Sequence, residues 1–184
     1  MLKNLICIVA LTFTLLVFFQ PAFAQIDGVE MQVDGMTCPF CVYGVEKKLE
    51  ALGEVKDASS NLKTGIVDIN LKKNGPVNIG RLNEAIHKSG FTPGKIKINA
   101  TGKLTTYKLE GKENPALKVT GSGQIFLLTD APDHEKEEFL SEKKLNEIEK
   151  ATESGKKAII ITGYIHPHPE GIPSALSIEG FEVR

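Results

Sequence analysis

Cysteine is scarce in this sequence, with three residues in 184, and one of them, Cys7, sits inside an apolar run at the start of the chain. A secreted disulfide scaffold needs more cysteines, spaced farther apart. An excess of charge of one sign is missing as well, since 22 Lys and Arg face 23 Asp and Glu. That balance gives no bulk attraction to a nucleic acid backbone or an anionic membrane, so no nucleic acid partner is expected. No Ser/His/Asp or paired-carboxylate arrangement can be drawn from the sequence. Ser122 between Gly121 and Gly123 reads as a turn, and the stretch is too short for a phosphate loop. The chain therefore reads as a binding protein, not an enzyme.

The first stretch has the features of an export signal. Lys3 supplies a short positive start, 5–19 is almost wholly apolar, and Pro21-Ala22-Phe23-Ala24 places small residues where a signal peptidase reads. Cleavage is expected between Ala24 and Gln25, giving a soluble periplasmic or secreted protein. Cys7 would leave with the signal, so the mature chain keeps one close pair, Cys38 and Cys41. A lone pair three residues apart crosslinks almost nothing and calls for a chemical explanation.

Between 28 and 98 the apolar period changes in a readable order. Val29, Met31 and Val33 alternate with Glu30 and Gln32, a half-buried strand. Val42, Val45, Leu49 and Leu52 then recur at helical spacing, with Glu46, Lys47 and Lys48 opposite and Gly53 as the stop. A strand over 54–62, a turn at Lys63-Thr64-Gly65 and a strand carrying Val67, Ile69 and Leu71 follow. After Asn74-Gly75-Pro76, Ile79, Leu82 and Ile86 form a second helix that ends at Ser89-Gly90, and Ile96 and Ile98 mark a last strand. The order βαββαβ predicts an α+β, ferredoxin-like sandwich over 25–99.

The segment 99–102 lacks apolar periodicity and is expected to be a linker. Beyond it, strands are expected near 103–109, 116–120 and 124–129, then a charged helix over 134–153 with Phe139, Leu145 and Ile148 as its thin apolar side. Strands over 157–165 and 175–183 close the chain. Five strands with a helix between the third and fourth is the element order of a small oligonucleotide/oligosaccharide-binding (OB-like) β-barrel, so 100–184 is read as a second domain that binds or docks.

Two thiolates converging on one ion select soft metals such as copper(I), mercury(II) or zinc over magnesium and calcium. Pro39 suits the first helical position, so Cys38 falls at the cap and Cys41 in the first turn. Exposed N–H groups and the positive end of the helix dipole favour ionised sulfur there. The run Gly35-Met36-Thr37-Cys38-Pro39-Phe40-Cys41, between the first strand and first helix, closely resembles the GMTCxxC loop of the heavy-metal-associated domain family. The resemblance covers 29–98 and includes Ser89-Gly90-Phe91, similar to that family's glycine-aromatic step. It implies that Cys38 and Cys41 are ligands for one soft ion, that Met36 packs beneath the loop and that Phe91 shields it. Export and the aromatic step look more like the periplasmic mercuric-ion-binding proteins than the cytosolic copper chaperones, which usually carry a lysine there. A membrane metal transporter, or another metal donor or acceptor, is the implied partner. Pro39 and Phe40 depart from the small residues usual in the mercuric proteins and change the surface a partner meets.

The same cysteine spacing at a helix start also serves thiol–disulfide oxidoreductases, the alternative reading. Among other candidates, Met31 belongs to the alternating strand and reads as core, and His87 reads as a surface residue. His166-Pro167-His168-Pro169-Glu170 is expected on the loop joining the last two strands. There, prolines hold the backbone extended and both imidazoles can face one side as an accessory metal site.

Overall fold

The computed structural model describes residues 26–72, 75–130 and 139–184. The export signal over 1–24 with Cys7, the break at Asn74 and the expected helix start at His134 lie outside the described residues.

The first six elements follow the expected order: β1 (Ile26–Asp34), α1 (Pro39–Glu50), β2 (Val55–Asn61), β3 (Ile66–Leu71), α2 (Ile79–Lys88) and β4 (Thr92–Leu109). In β1, Val29, Met31 and Val33 are all buried, as a period of two demands. Helix α1 buries Val45 and Leu49, with Val42 and Leu52 packed at the margin of the same core. It stops at Glu50 with Ala51 as its C-cap, two residues before Gly53, so the expected glycine stop is not the residue that ends it. Helix α2 buries Ile79, Leu82, Ala85 and Ile86, and its Asn78 side chain accepts the Arg81 N–H at 3.0 Å, a standard cap. The strands run β2-β3-β1-β4, all antiparallel, which is the ferredoxin-like arrangement.

The remaining elements are β5 (Lys112–Val119), β6 (Ile125–Thr129), α3 (Glu142–Ala151), β7 (Ile159–His166) and β8 (Ala175–Val183). All eight strands form one sheet, continuing β4-β5-β6-β8-β7, and β7 returns to pair with β4. The pairings therefore close a ring of five strands in which β6 and β8 alone run parallel. Helix α3 lies between β6 and β7, the third and fourth of these five strands in chain order.

Two further expectations differ from the structure. The stretch 99–102 is the middle of β4, an 18-residue strand, and not an open linker. Ala100 and Thr101 are buried, and a Cβ on Gly102 would run into the Lys118 carbonyl and the Leu117 side chain. Small residues are needed where β4 passes between β1, β7 and β5, and small residues look like a linker in one dimension. The last helix begins at Glu142, with Ser141 as its N-cap. Phe139 forms an isolated antiparallel bridge with Thr129, and the apolar side of α3 is carried by Ile148 and Leu145.

One buried cluster runs through both halves, from Val29 and Leu82 to Phe126 and Ile161. Side-chain bonds reinforce the joint. Gln124, in the turn between β5 and β6, accepts the Val77 N–H at 2.9 Å and donates Nε2–H to the Val77 carbonyl at 3.0 Å. Lys97 of β4 pairs with Glu179 of β8 at 2.7 Å.

Candidate metal-binding loop

The loop 35–38 is shaped by what flanks it. Gly35 leaves β1 with φ +92°, a conformation that L side chains rarely adopt. Phe91 Cδ1 lies 3.5 Å from where a Cβ on Gly35 would stand, so the ring closes over that point. Phe91 is held there by the end of α2: Gly90 takes φ +85° and the Phe91 N–H donates to the Ile86 carbonyl at 3.3 Å. Met36 is buried beneath the loop. Phe91 thus lies beside the loop and Met36 in the core.

Cys38 is the N-cap of α1, with extended φ −140° and ψ 153°, and Pro39 opens the helix. The Cys41 N–H is shared between the Cys38 carbonyl at 3.0 Å and the Cys38 Sγ at 3.1 Å. The two sulfurs are joined as a disulfide, with Cα atoms 5.2 Å apart. Both residues are half-buried, and no acidic side chain sits in the first turn of α1. Positive helix-end potential is therefore not offset locally where negative sulfur would develop.

Two large aromatic side chains are exposed beside the pair. Phe40 is 88% exposed and Tyr43 62%, with the Lys47 ammonium over the Tyr43 ring at 5.7 Å. An open groove of about 650 Å³ runs alongside, lined by Pro39, Val42 and Leu62 and by the polar Ser60, Lys63 and Asp68 among others. The Ser60 N–H donates to Glu46 Oε1 at 2.7 Å, fixing α1 against the edge strand β2. Sequence reasoning named the cysteines but gave Tyr43 and Leu62 no role. A helical wheel marks Tyr43 as off the buried stripe, whereas Leu62 needs the β2–β3 turn in place.

The histidines are arranged differently from the expectation. His166 is the last residue of β7, not a loop residue, and its Nε2 lies 3.0 Å from Ser177 Oγ. His168 Nδ1 lies 2.7 Å from the Pro173 carbonyl oxygen. Among the described residues, no group of three or more His, Cys, Asp or Glu side chains is placed to hold a metal ion. His87 is exposed, and Met31 is fully buried in β1.

Residues 30–92 match the family model described as heavy-metal-associated domain. Copper-transporting ATPase 2 of Rhizobium meliloti (strain 1021) is 38% identical over 73 residues, which are 40% of this chain and 9% of that protein. The match thus spans only a small part of that relative's length. Among solved structures, a copper binding domain from a P-type ATPase is 30% identical, covering 36% of this chain and 89% of that one with a TM-score of 0.34. A CopZ metallochaperone is 26% identical over 37% of this chain and 100% of its own, TM-score 0.35.

Proposed function

Residues 30–92 are a heavy-metal-associated domain with relatives among copper transporters, and from that premise we propose that the protein captures copper(I) between Cys38 and Cys41 and passes it on. The observation that carries the reading is the placement of the pair. Two half-buried sulfurs sit within one turn at the positive end of α1, on a loop seated by Met36 and Phe91. The donor set fits a soft ion, because thiolates favour copper(I) over hard cations. It fits zinc less well, since a structural zinc site takes four protein donors and this loop offers two. Mercury(II) shares the thiol preference.

The exposed Phe40 and Tyr43 and the neighbouring groove give the carrier a face on which a membrane transporter or another metal-exchanging protein would dock. Residues 1–24 read as an export signal, which places that exchange in the periplasm or outside the cell. We infer that the five-stranded ring is an OB-like barrel, a reading supported by β6 lying parallel to β8 and by α3 lying between β6 and β7. We infer that it forms a second unit over 100–184, joined to the first along β4, and serves as the docking module.

Native mass spectrometry of the reduced protein, offered copper(I), mercury(II) and zinc in competition, tests the reading. One copper(I) per chain with zinc excluded is expected. Preference for mercury(II) at equal free-ion activity would reassign the cargo, and insulin reduction at a thioredoxin-like rate would reassign the function to the oxidoreductase alternative.

A further inference from the structure

We propose that a groove across the outer face of the sheet, floored by Gly28, Asn99, Thr162 and Gly180, binds a neutral or amino-sugar oligosaccharide. Register sets these four residues in one row at right angles to the strands, with Gly28 opposite Asn99, Asn99 opposite Thr162 and Thr162 opposite Gly180. The row starts on β1 of the metal-binding half and ends on β8 of the ring, so it crosses the joint between them. Three strand spacings of about 4.8 Å make it about 14 Å long. Its floor is low because the side chains there are short or missing. Two open volumes, about 110 Å³ over β1 and about 410 Å³ over β7 and β8, meet at Asn99. Among the described residues, none of the metal loop lines either one.

The two glycines answer no need of the chain itself. A Cβ on Gly28 or Gly180 would meet no atom of the described residues within 4 Å, and neither residue has a positive φ. Each lies beside an irregularity in pairing, at Ile26/Gly28 and at Thr162/Gly163, but a bulge that requires glycine takes it left-handed. Glycine inside a strand costs backbone entropy, and where packing does not demand it, it marks a place where a ligand approaches the backbone. A buried hydroxyl points the same way. Alternation turns Thr101 to the same face as Asn99, opposite Ile160, which lines the groove. Thr101 is 2% exposed, and its Oγ1 has no hydrogen-bond partner among the described residues. A ligand hydroxyl would satisfy it.

The lining selects the ligand. Thr162 Oγ1 donates to Asn99 Oδ1 at 2.6 Å, which leaves the Asn99 amide hydrogens to donate and the Thr162 oxygen to accept. Glu30 and Glu182 add acceptors, and Lys97, paired with Glu179 at 2.7 Å, adds a donor. Donors and acceptors interleaved in this way suit hydroxyl groups, which are both. Ile160, and Tyr164 opposite Lys97, offer apolar surface to the C–H face of a sugar ring. Glu30, Asp68, Glu179 and Glu182 outnumber Lys95 and Lys97, so a polyanion is repelled. An extended peptide adds to a free strand edge, whereas β1, β4 and β7 are paired on both sides.

The test titrates the full chain, labelled with nitrogen-15, with the tetramers of N-acetylglucosamine and of glucosamine, with tetragalacturonate and with tetralysine. Amide shifts at Gly28, Asn99, Thr162 and Gly180 are expected with the first two probes and not with tetragalacturonate. Gly180→Val fills the groove and should weaken sugar binding by about tenfold or more. Its melting temperature should not fall, because a β-branched residue suits a strand. Gly28→Val should do the same from the other end, and copper(I) binding should stay at the parent level in both variants. No shift with either sugar, shifts with tetralysine alone, or equal shifts with tetragalacturonate would overturn the proposal. Parent-like sugar binding by both valine variants would overturn it too, and loss of stability in both would show that the glycines serve the fold instead.

Discussion

Replacing Gln124 with alanine should destabilise both halves of the molecule together. Its side-chain amide closes two bonds with Val77, to the N–H at 2.9 Å and to the carbonyl at 3.0 Å, across 47 residues of sequence. Val77 is 3% exposed, so water does not readily replace the lost partner. Each buried backbone group left unsatisfied costs about 1–3 kcal/mol, and allowing for partial relaxation the pair amounts to about 2–4 kcal/mol. At about 2–4 °C per kcal/mol for a chain of this size, the melting temperature should fall by about 4–16 °C. Urea unfolding followed by far-ultraviolet circular dichroism reads the change, with the slope against denaturant unchanged if unfolding stays cooperative. Gln124→Glu sharpens the test, because it keeps an acceptor for the Val77 N–H while setting a carboxylate oxygen against the Val77 carbonyl. It should be as damaging as alanine at neutral pH and partly recover in acid, where the protonated carboxyl donates again. A loss below about 0.5 kcal/mol for Gln124→Ala would refute the reasoning that this amide clamps the ring to the metal-binding half.

Gly163→Ala should cost about 1–3 kcal/mol in the same assay, because a Cβ there would collide with the Ser177 carbonyl oxygen across β7 and β8, and an unchanged midpoint would contradict that close approach. Asp130 should make the start of α3 acid-sensitive: burial pushes its carboxyl up, but bonds from Ser141 and the Lys144 ammonium outweigh it and hold the group below its ordinary value. A carboxyl held down contributes stability that is full above its unfolded value, about 3.9, and lost as pH falls through its folded value; Asp130→Asn should flatten that acid limb, and an identical pH profile would remove the assignment. With both cysteines replaced by serine, the protein should bind neither copper(II) nor zinc above background, since His166 and His168 are turned to separate partners; isothermal titration showing residual binding that His166→Ala and His168→Ala abolish would establish them as an accessory site.

The first half of the fold was legible because its signals are local. Val29, Met31 and Val33 mark a strand by alternation, Pro39 sits at a helix start, and Lys63-Thr64-Gly65 marks a turn in which Gly65 takes φ +70°. The match of 30–92 to the heavy-metal-associated domain was legible for the same reason, since Gly35 to Cys41 are seven consecutive residues. What was not legible is long-range. Ala100 and Gly102 read as loop residues until three neighbouring strands require them small. The pairing of Ile96 with Ile165 that closes the ring leaves no mark on either segment alone. His166 looked like a loop residue because Pro167 follows it, yet it still pairs with Ala175 as the strand's last member. Phe139 seemed to continue a helical stripe, but Ser141 caps α3 downstream of it.

The central claim, that Cys38 and Cys41 together hold the ion, is tested most directly by titrating reduced protein with copper(I) against a chromogenic chelator for the parent chain, Cys38→Ser and Cys41→Ser. Near-stoichiometric binding of one ion by the parent is expected, with each serine variant weaker by orders of magnitude and its circular dichroism unchanged, because a single thiol is no chelate. Either variant retaining the parent's affinity would contradict the account.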